Sequence, residues 1–234
     1  MAANLAPGST LETPAAQDVT ALRQVFASVT AESCPHTYNF HMHTKHSDGQ
    51  LEPESLVEQA IALSLKGFAI TDHHQITGFQ TAQRHLEAWQ RTSNQPIPQL
   101  WTGTEITAQL LETEVHILGF AFDPDHAEIR SYFQGSAPQG ERAIAAHVVS
   151  AIHEAGGIAV LAHPARYRRS ADELIPAAAM IGIDGVETYY AYNNPKPWQP
   201  SPNETQNVRE LSEQYHLLNT CGTDTHGINL LQRL

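Results

Sequence analysis

Imidazole and carboxylate side chains recur along the sequence in short, separated clusters. HMHTKHSDG holds His41, His43 and Asp48, AITDHH holds Asp72, His73 and His74, and WTGTEI holds Glu105. VHILGF then brings His116, VLAHP brings His163, and CGTDTH brings Asp224 and His226. Nitrogen and oxygen donors of this kind bind divalent first-row metals, and imidazole is the commonest protein ligand among them. Histidine is abundant for its class, at 14 residues against 13 lysines and arginines together. Only two cysteines occur, Cys34 and Cys221. They form neither a disulfide framework nor a thiolate zinc spacing, so a metal centre here must be built from His and carboxylate.

Such residues do chemistry only if the fold gathers them. From Tyr38 onward, β-type runs at 38–43, 67–71, 99–105, 115–122, 157–162, 185–190 and 217–222 alternate with helical patterns at 53–65, 78–91, 140–155, 170–181 and 203–215. The alternation predicts an α/β fold, a mostly parallel sheet or barrel with crossover helices. Most donor clusters fall at the end of a predicted strand, and a barrel brings strand ends to one rim. His41 and His43, two apart on one strand, point to the same side. His116 instead starts its strand. Too few residues separate it from Glu105 for a crossover helix, which predicts an antiparallel hairpin that returns His116 to the same rim.

Nine potential ligands then converge: His41, His43, Asp48, His73, Glu105, His116, His163, Asp224 and His226. That concentration of buried polar groups requires cations among them. It exceeds the needs of one tetrahedral ion and implies two or three divalent ions with a bridging carboxylate. The donor set suits Mn, Fe or Zn. His85, His147, His153 and His216 fall in or beside helices and are expected to be solvated or packed, whereas His46 and His74 adjoin the ligand clusters.

The 234 residues carry a formal net charge of −12, which argues against a protein that tracks duplex nucleic acid or anionic lipid. No apolar run of about 18 residues and no secretory signal appears, so a cytoplasmic protein without a membrane span is expected. Residues 1–36 are expected to form an N-terminal extension, flexible to about residue 16. A short helix follows, capped by Asp18 and packed on the outside of the domain through Leu22, Val25, Phe26 and Val29. Residues 37–234 form the single domain. The loop 191–204, with four prolines, is a candidate cover in which Trp198, with nearby Tyr189 and Tyr190, would stack a base or pack the wall. A phosphate-binding role falls to Arg166 in PARYRR, followed by Arg168 and Arg169, and to Arg142 in QGERAI.

Taken in order, HMHTKHSDG, ITDHH, GTE, VHILGFAFDPDH, LAHP and GTDTH resemble the motifs of the polymerase and histidinol phosphatase (PHP) superfamily, from about Tyr38 to His226. The resemblance implies a distorted seven-stranded (β/α) barrel and a bi- or trinuclear metal centre. It assigns His41, His43, Glu105 and Asp224 to one ion, shares Glu105 with a second ion held by His116 and His163, and gives Asp48, His73 and His226 to a third. Glu105, His41, His163 and Asp224 would then serve catalysis through an activated water, with Asp72, His74 and Glu187 behind the ligands or in the pocket. The layout is most similar to small phosphoesterases that hydrolyse nucleoside 3′,5′-bisphosphates or short oligonucleotide ends. The expected activity is hydrolysis of a phosphomonoester of a small metabolite, a nucleotide. Histidinol-phosphate phosphatase and a non-catalytic nucleotide- or partner-binding module are the alternatives. Two positions depart from the family pattern: Asn39 replaces the usual Asp, and His74 replaces Asp or Asn.

Overall fold

Eight short strands and seven helices alternate along residues 14–234, the part of the chain that this computed structural model describes. The strands are β1 (Tyr38–Asn39), β2 (Gly67–Ala69), β3 (Gln99–Trp101), β4 (Gly103–Leu110), β5 (Thr113–Phe120), β6 (Ile158–Leu161), β7 (Gly185–Tyr189) and β8 (Leu218–Cys221). The helices are α1 (Val19–Phe26), α2 (Pro53–Ala62), α3 (Thr77–Thr92), α4 (Ala127–Arg130), α5 (Ala145–Glu154), α6 (Ala171–Met180) and α7 (Pro202–Gln214). All seven expected strands form, but the third is split in two. At Thr102 the backbone N–H leaves the sheet to donate to Ala16 O (3.0 Å), and the hydroxyl donates to Phe122 O (2.9 Å).

β1, β2 and β3 pair in parallel, and β4 to β8 form a second sheet in sequence order. The expected hairpin is present: β4 and β5 are antiparallel, with Thr107 opposite His116. Leu111 and Glu112 turn it with positive φ at both positions, as a two-residue connection requires. Backbone hydrogen bonds join the two sheets at both seams. On one side Glu105 N donates to Asp72 O (3.3 Å) and His74 N to Glu105 O (3.0 Å). On the other, Phe40 N donates to Cys221 O (3.0 Å), Asp224 N to His41 O (2.8 Å) and His43 N to Thr225 O (3.0 Å). The circuit is a distorted barrel.

Opposite faces of the same strands feed two apolar clusters. Ala159 and Leu161 pack outward with Val149 and Ile152 of α5 and with residues of α2, α3, α6 and α7. Ile158, Val160 and Ala162 face the other way, with Phe40, Trp101, Leu118 and Phe120. Leu22 and Phe26 of α1 belong to this inner cluster, and Phe26 packs edge-on against Phe40 (5.0 Å) and Phe120 (5.6 Å). The helix is capped by Asp18 as expected, its carboxylate accepting from Ala21 N (2.9 Å). It does not lie on the outside of the domain: it stoppers the ring at the end opposite the ligands, because both apolar residues are large and one turn apart. The expected flexible lead-in lies outside the described residues up to position 13; Ala15–Gln17 form a 3-10 turn with Ala16 buried.

At the β1–β8 seam a Cβ on Gly222 would stand 2.2 Å from His41 Cβ and 2.7 Å from His41 N, neither of which can retreat without opening the ring. Gly222→Ala is therefore expected to destabilise the protein by about 1–3 kcal/mol, measured as a lowered urea midpoint at unchanged m-value. A midpoint equal to wild type would show that the seam is not tightly closed.

Candidate metal centre

The seams that close the barrel also carry the ligands. Glu105 sits at one of them, 1% exposed, with an imidazole set on each oxygen. Its Oε2 lies 3.1 Å from His41 Nε2, 3.0 Å from His43 Nε2 and 3.5 Å from His73 Nε2. Its Oε1 lies 2.7 Å from His116 Nδ1 and 3.4 Å from His163 Nε2. Asp224, at the other seam, turns Oδ1 toward His43 Nε2 (3.2 Å) and His41 Nε2 (3.4 Å). Asp48, half-exposed, meets His226 Nε2 at 3.2 Å and His73 Nε2 at 3.7 Å.

All nine expected ligands are thus brought to one rim. Their donor atoms form three overlapping groups: His41, His43, Glu105 and Asp224; His43, Asp48, His73 and His226; and His73, Glu105 and His116. The first and the second hold the members expected for the first and third ions, the second with His43 added. The third takes in His73, while His163 touches only the outer oxygen of Glu105. Donors bonded at about 2.1 Å to one ion stand roughly 3–3.5 Å apart, which is the spacing seen. Both ring nitrogens of His43, and Nδ1 of His163, are buried without a hydrogen-bond partner, as befits side chains shaped to bind a cation. His163 and Asp224 have positive φ (27° and 52°), strain of the kind that collects at functional sites.

Behind the ligands a set of hydrogen bonds fixes their orientation. Glu187, fully buried, places Oε1 2.9 Å from His41 Nδ1 and accepts from His163 N through Oε2 at 2.9 Å. Asp72 accepts from Thr44 N, Thr44 Oγ1 and Ser47 Oγ, each at 2.7 Å, and so holds the loop that carries Asp48. His74 stands 3.1 Å from Thr107 Oγ1, and burial pushes its pKa down to about 4.

Charge dominates the cage. Burial works against the protonated forms, yet the close carboxylates of Asp224 and Glu105 raise the pKa of His43 to about 9, and Glu187, Glu105 and Asp224 hold His41 well above the usual imidazole range. Against the same burial, the imidazoles of His41 and His116 keep Glu105 well below the ordinary carboxylate range. Without an ion, protons supply the missing positive charge.

The rim encloses a cavity of about 160 Å³ lined by Asp48, His73, Glu105, His116, His163, Arg166, Asp224, His226 and Arg233. Arg166 is therefore where the sequence places it. Arg142 is not: it lines a separate depression with Tyr132 and His147. Tyr189, Tyr190 and Trp198 are all buried, so none offers a face for stacking a base; Tyr190 instead donates to Asp224 Oδ2 at 2.7 Å. Trp198 packs into the inner apolar cluster, and the loop 191–204 contributes nothing to the cavity lining. Arg169 is occupied by Leu111 O and Glu173. The sequence reading missed Arg233, which has no motif around it, and Tyr167, whose hydroxyl accepts from His116 N (2.7 Å) and braces that ligand.

The profile of the PHP domain matches residues 39–222. Among curated proteins, the 5′-3′ exoribonucleases Rnm of Salmonella typhimurium and Escherichia coli are each 25% identical over 260 residues, covering 81% of this chain and 85% of theirs. That matched stretch is longer than this chain of 234 residues, so these relatives carry segments that it lacks. Among solved structures, a Bifidobacterium adolescentis protein, named by inference as a metal-dependent phosphoesterase, superposes with a TM-score of 0.67 at 24% identity, over 85% of this chain and 93% of its own. An amidohydrolase from Chromobacterium violaceum, solved with bound sulfate and no metal, gives a TM-score of 0.67 at 19% identity, over 82% and 88%. These structures share the fold.

Two outcomes follow from the cage geometry. Glu105→Ala should lose more bound metal than Asp48→Ala by elemental analysis, since Glu105 faces two groups of imidazoles and Asp48 one; equal loss would count against sharing. Ions need neutral imidazole, so metal uptake must displace protons from His41 and His43. Affinity should therefore be weak in mild acid and rise with pH toward about 9, with proton release measurable by calorimetry in buffers of different ionisation enthalpy.

Proposed function

The chain belongs to the PHP domain family, and we propose that it is a metal-dependent phosphoric ester hydrolase. The substrate we assign is a nucleotide: a nucleoside 3′,5′-bisphosphate or the end of a short oligonucleotide. The observation that carries the reading is Glu105, one buried carboxylate whose two oxygens face different imidazole sets. That arrangement suits two ions sharing a carboxylate, with Asp48, His73 and His226 able to hold a third, and the donors suit Mn, Fe or Zn. Divalent ions held there would neutralise phosphoryl oxygens and make an attacking water available near neutral pH.

The side chains divide the remaining work. No serine, threonine or cysteine lines the cavity, and its carboxylates and imidazoles are the proposed metal ligands, so we assign the attack to water. Glu187 fixes His41 by its Nδ1 and leaves Nε2 aimed at Glu105 and Asp224. Arg166, its side chain 44% exposed at the mouth and held by Nη1 on Asp224 Oδ2 (3.1 Å), has its remaining N–H groups for an entering phosphate. Hairpin β4–β5 rises beside the 165–169 loop, joined to it by Arg169 Nε donating to Leu111 O (2.8 Å), and walls one side.

Substrate size follows from shape and charge. A cavity of about 160 Å³ takes a phosphoryl group and little more, so the rest of the substrate lies outside it. A formal charge of −12 repels a long polyanion, which favours a small nucleotide or a short end over duplex nucleic acid. The relatives' name, 5′-3′ exoribonuclease, points the same way, to the terminus of a chain. Among the described residues no helix is long and apolar enough to cross a membrane.

Metal-loaded protein should release phosphate or mononucleotide from nucleoside 3′,5′-bisphosphates and 5′-phosphorylated short RNA in a panel that includes histidinol phosphate. Preference for histidinol phosphate would overturn the substrate class. Turnover of no phosphoester with Mn, Fe or Zn would overturn the hydrolase reading and leave a binding module.

A further inference from the structure

We propose that Arg233 is the second half of a two-arginine clamp that, with Arg166, grips the phosphoryl group of the substrate; the assignment of that ligand rests on the function proposed above. Both arginines line the cavity, and both reach the same oxygen. Asp224 Oδ2 accepts from Arg233 Nε at 2.8 Å, from Arg166 Nη1 at 3.1 Å and from Tyr190 OH at 2.7 Å, while Oδ1 faces the imidazoles of His41 and His43. Two guanidiniums on one carboxylate carry more positive charge than it can neutralise. That carboxylate is already committed to the cage through its other oxygen. Once cations balance the carboxylates of the cage, the two guanidiniums at the mouth are left to complement an anion in the cavity.

The geometry leaves the means to hold one. Each guanidinium has five N–H donors in a planar fork. Arg233 spends Nε on Asp224 and Arg166 spends Nη1 on Asp224 and Tyr190, so the outer edges of both forks remain for another acceptor. Arg233 is the fixed member, its side chain 16% exposed, and Arg166 the movable one at 44%. A tetrahedral dianion between them would face one preset fork and one closing fork.

Arg233 is fixed because the segment after His226 is a strap and not a loose end. Arg233 O accepts from His226 N (2.7 Å) and Gly227 N (3.2 Å), Gln59 Nε2 donates to Ile228 O (3.0 Å), and Leu230 is fully buried. Asn39 completes the attachment: its Nδ2 donates to Leu230 O (3.1 Å) and Thr223 Oγ1 (2.9 Å), and its Oδ1 accepts from Thr223 N (3.0 Å). An aspartate at position 39 could accept from Thr223 N but could not donate to Leu230 O. Asn39 is thus one of the residues that pin the strap, together with Gln59 and His226.

The test titrates metal-loaded wild type, Arg233→Ala, Arg233→Lys and Asn39→Asp with inorganic phosphate, with metal content and Tm measured on the same samples. Wild type should bind phosphate. Arg233→Ala should bind it at least tenfold more weakly at wild-type metal content, Arg233→Lys should fall between, and Asn39→Asp should weaken binding with all charged groups of the clamp intact. Phosphate affinity of Arg233→Ala or Arg233→Lys equal to wild type would overturn the clamp. So would metal loss in parallel with phosphate affinity, which would make Arg233 a support for Asp224 alone. Wild type that binds phosphate through Arg233 but hydrolyses no phosphoester would overturn the hydrolase reading and support the clamp.

Discussion

A carboxylate buried among five imidazoles is tolerable only if positive charge sits with it, and the rest of the structure is arranged around Glu105 meeting that condition. The residue does two jobs. Its backbone N–H and carbonyl complete the seam with Asp72 and His74, and its side chain gathers ligands from β1, β2, β5 and β6. Asp224 repeats the pattern at the opposite seam, with its N–H on His41 O and its carboxylate facing two of the same imidazoles, His41 and His43. Closing the ring and assembling the cage are therefore one event. Charge balance in the cage, by ions or by protons, becomes part of the balance of folding.

The ligands were legible because strand ends are legible. An apolar run of five or six residues that stops at His, Asp or Glu marks a rim position, and repetition of that punctuation in five segments, with His116 at the start of the returning hairpin arm, specifies a single mouth. The hairpin was legible from length alone, since the ten residues between Glu105 and His116 leave no room for a crossover helix. What stayed hidden depends on contacts between distant segments. Nothing local to Thr102 announces that its backbone will serve Ala16 and divide a strand. The periodicity of α1 identifies an apolar stripe but not whether it covers the barrel or plugs it, and Leu22 and Phe26 plug it. Arg142 and Arg166 look alike as loop arginines near helix starts, and only the path of the chain separates the one beside Tyr132 from the one beside Asp224. Arg233 escaped for the opposite reason: its segment has no periodicity, and its position is set by hydrogen bonds from Asn39, Gln59 and His226.

Electrostatics reconcile an acidic chain with an anionic substrate. The −12 belongs to the whole molecule, and interactions between exposed charges fade beyond roughly 10 Å at moderate salt. At the mouth the balance is different. Asp48, Glu105 and Asp224 face the cage, Arg166 and Arg233 stand over it, and two or three divalent ions would leave the rim positive. A phosphoryl group at the mouth would meet that local balance and not the charge of the whole chain.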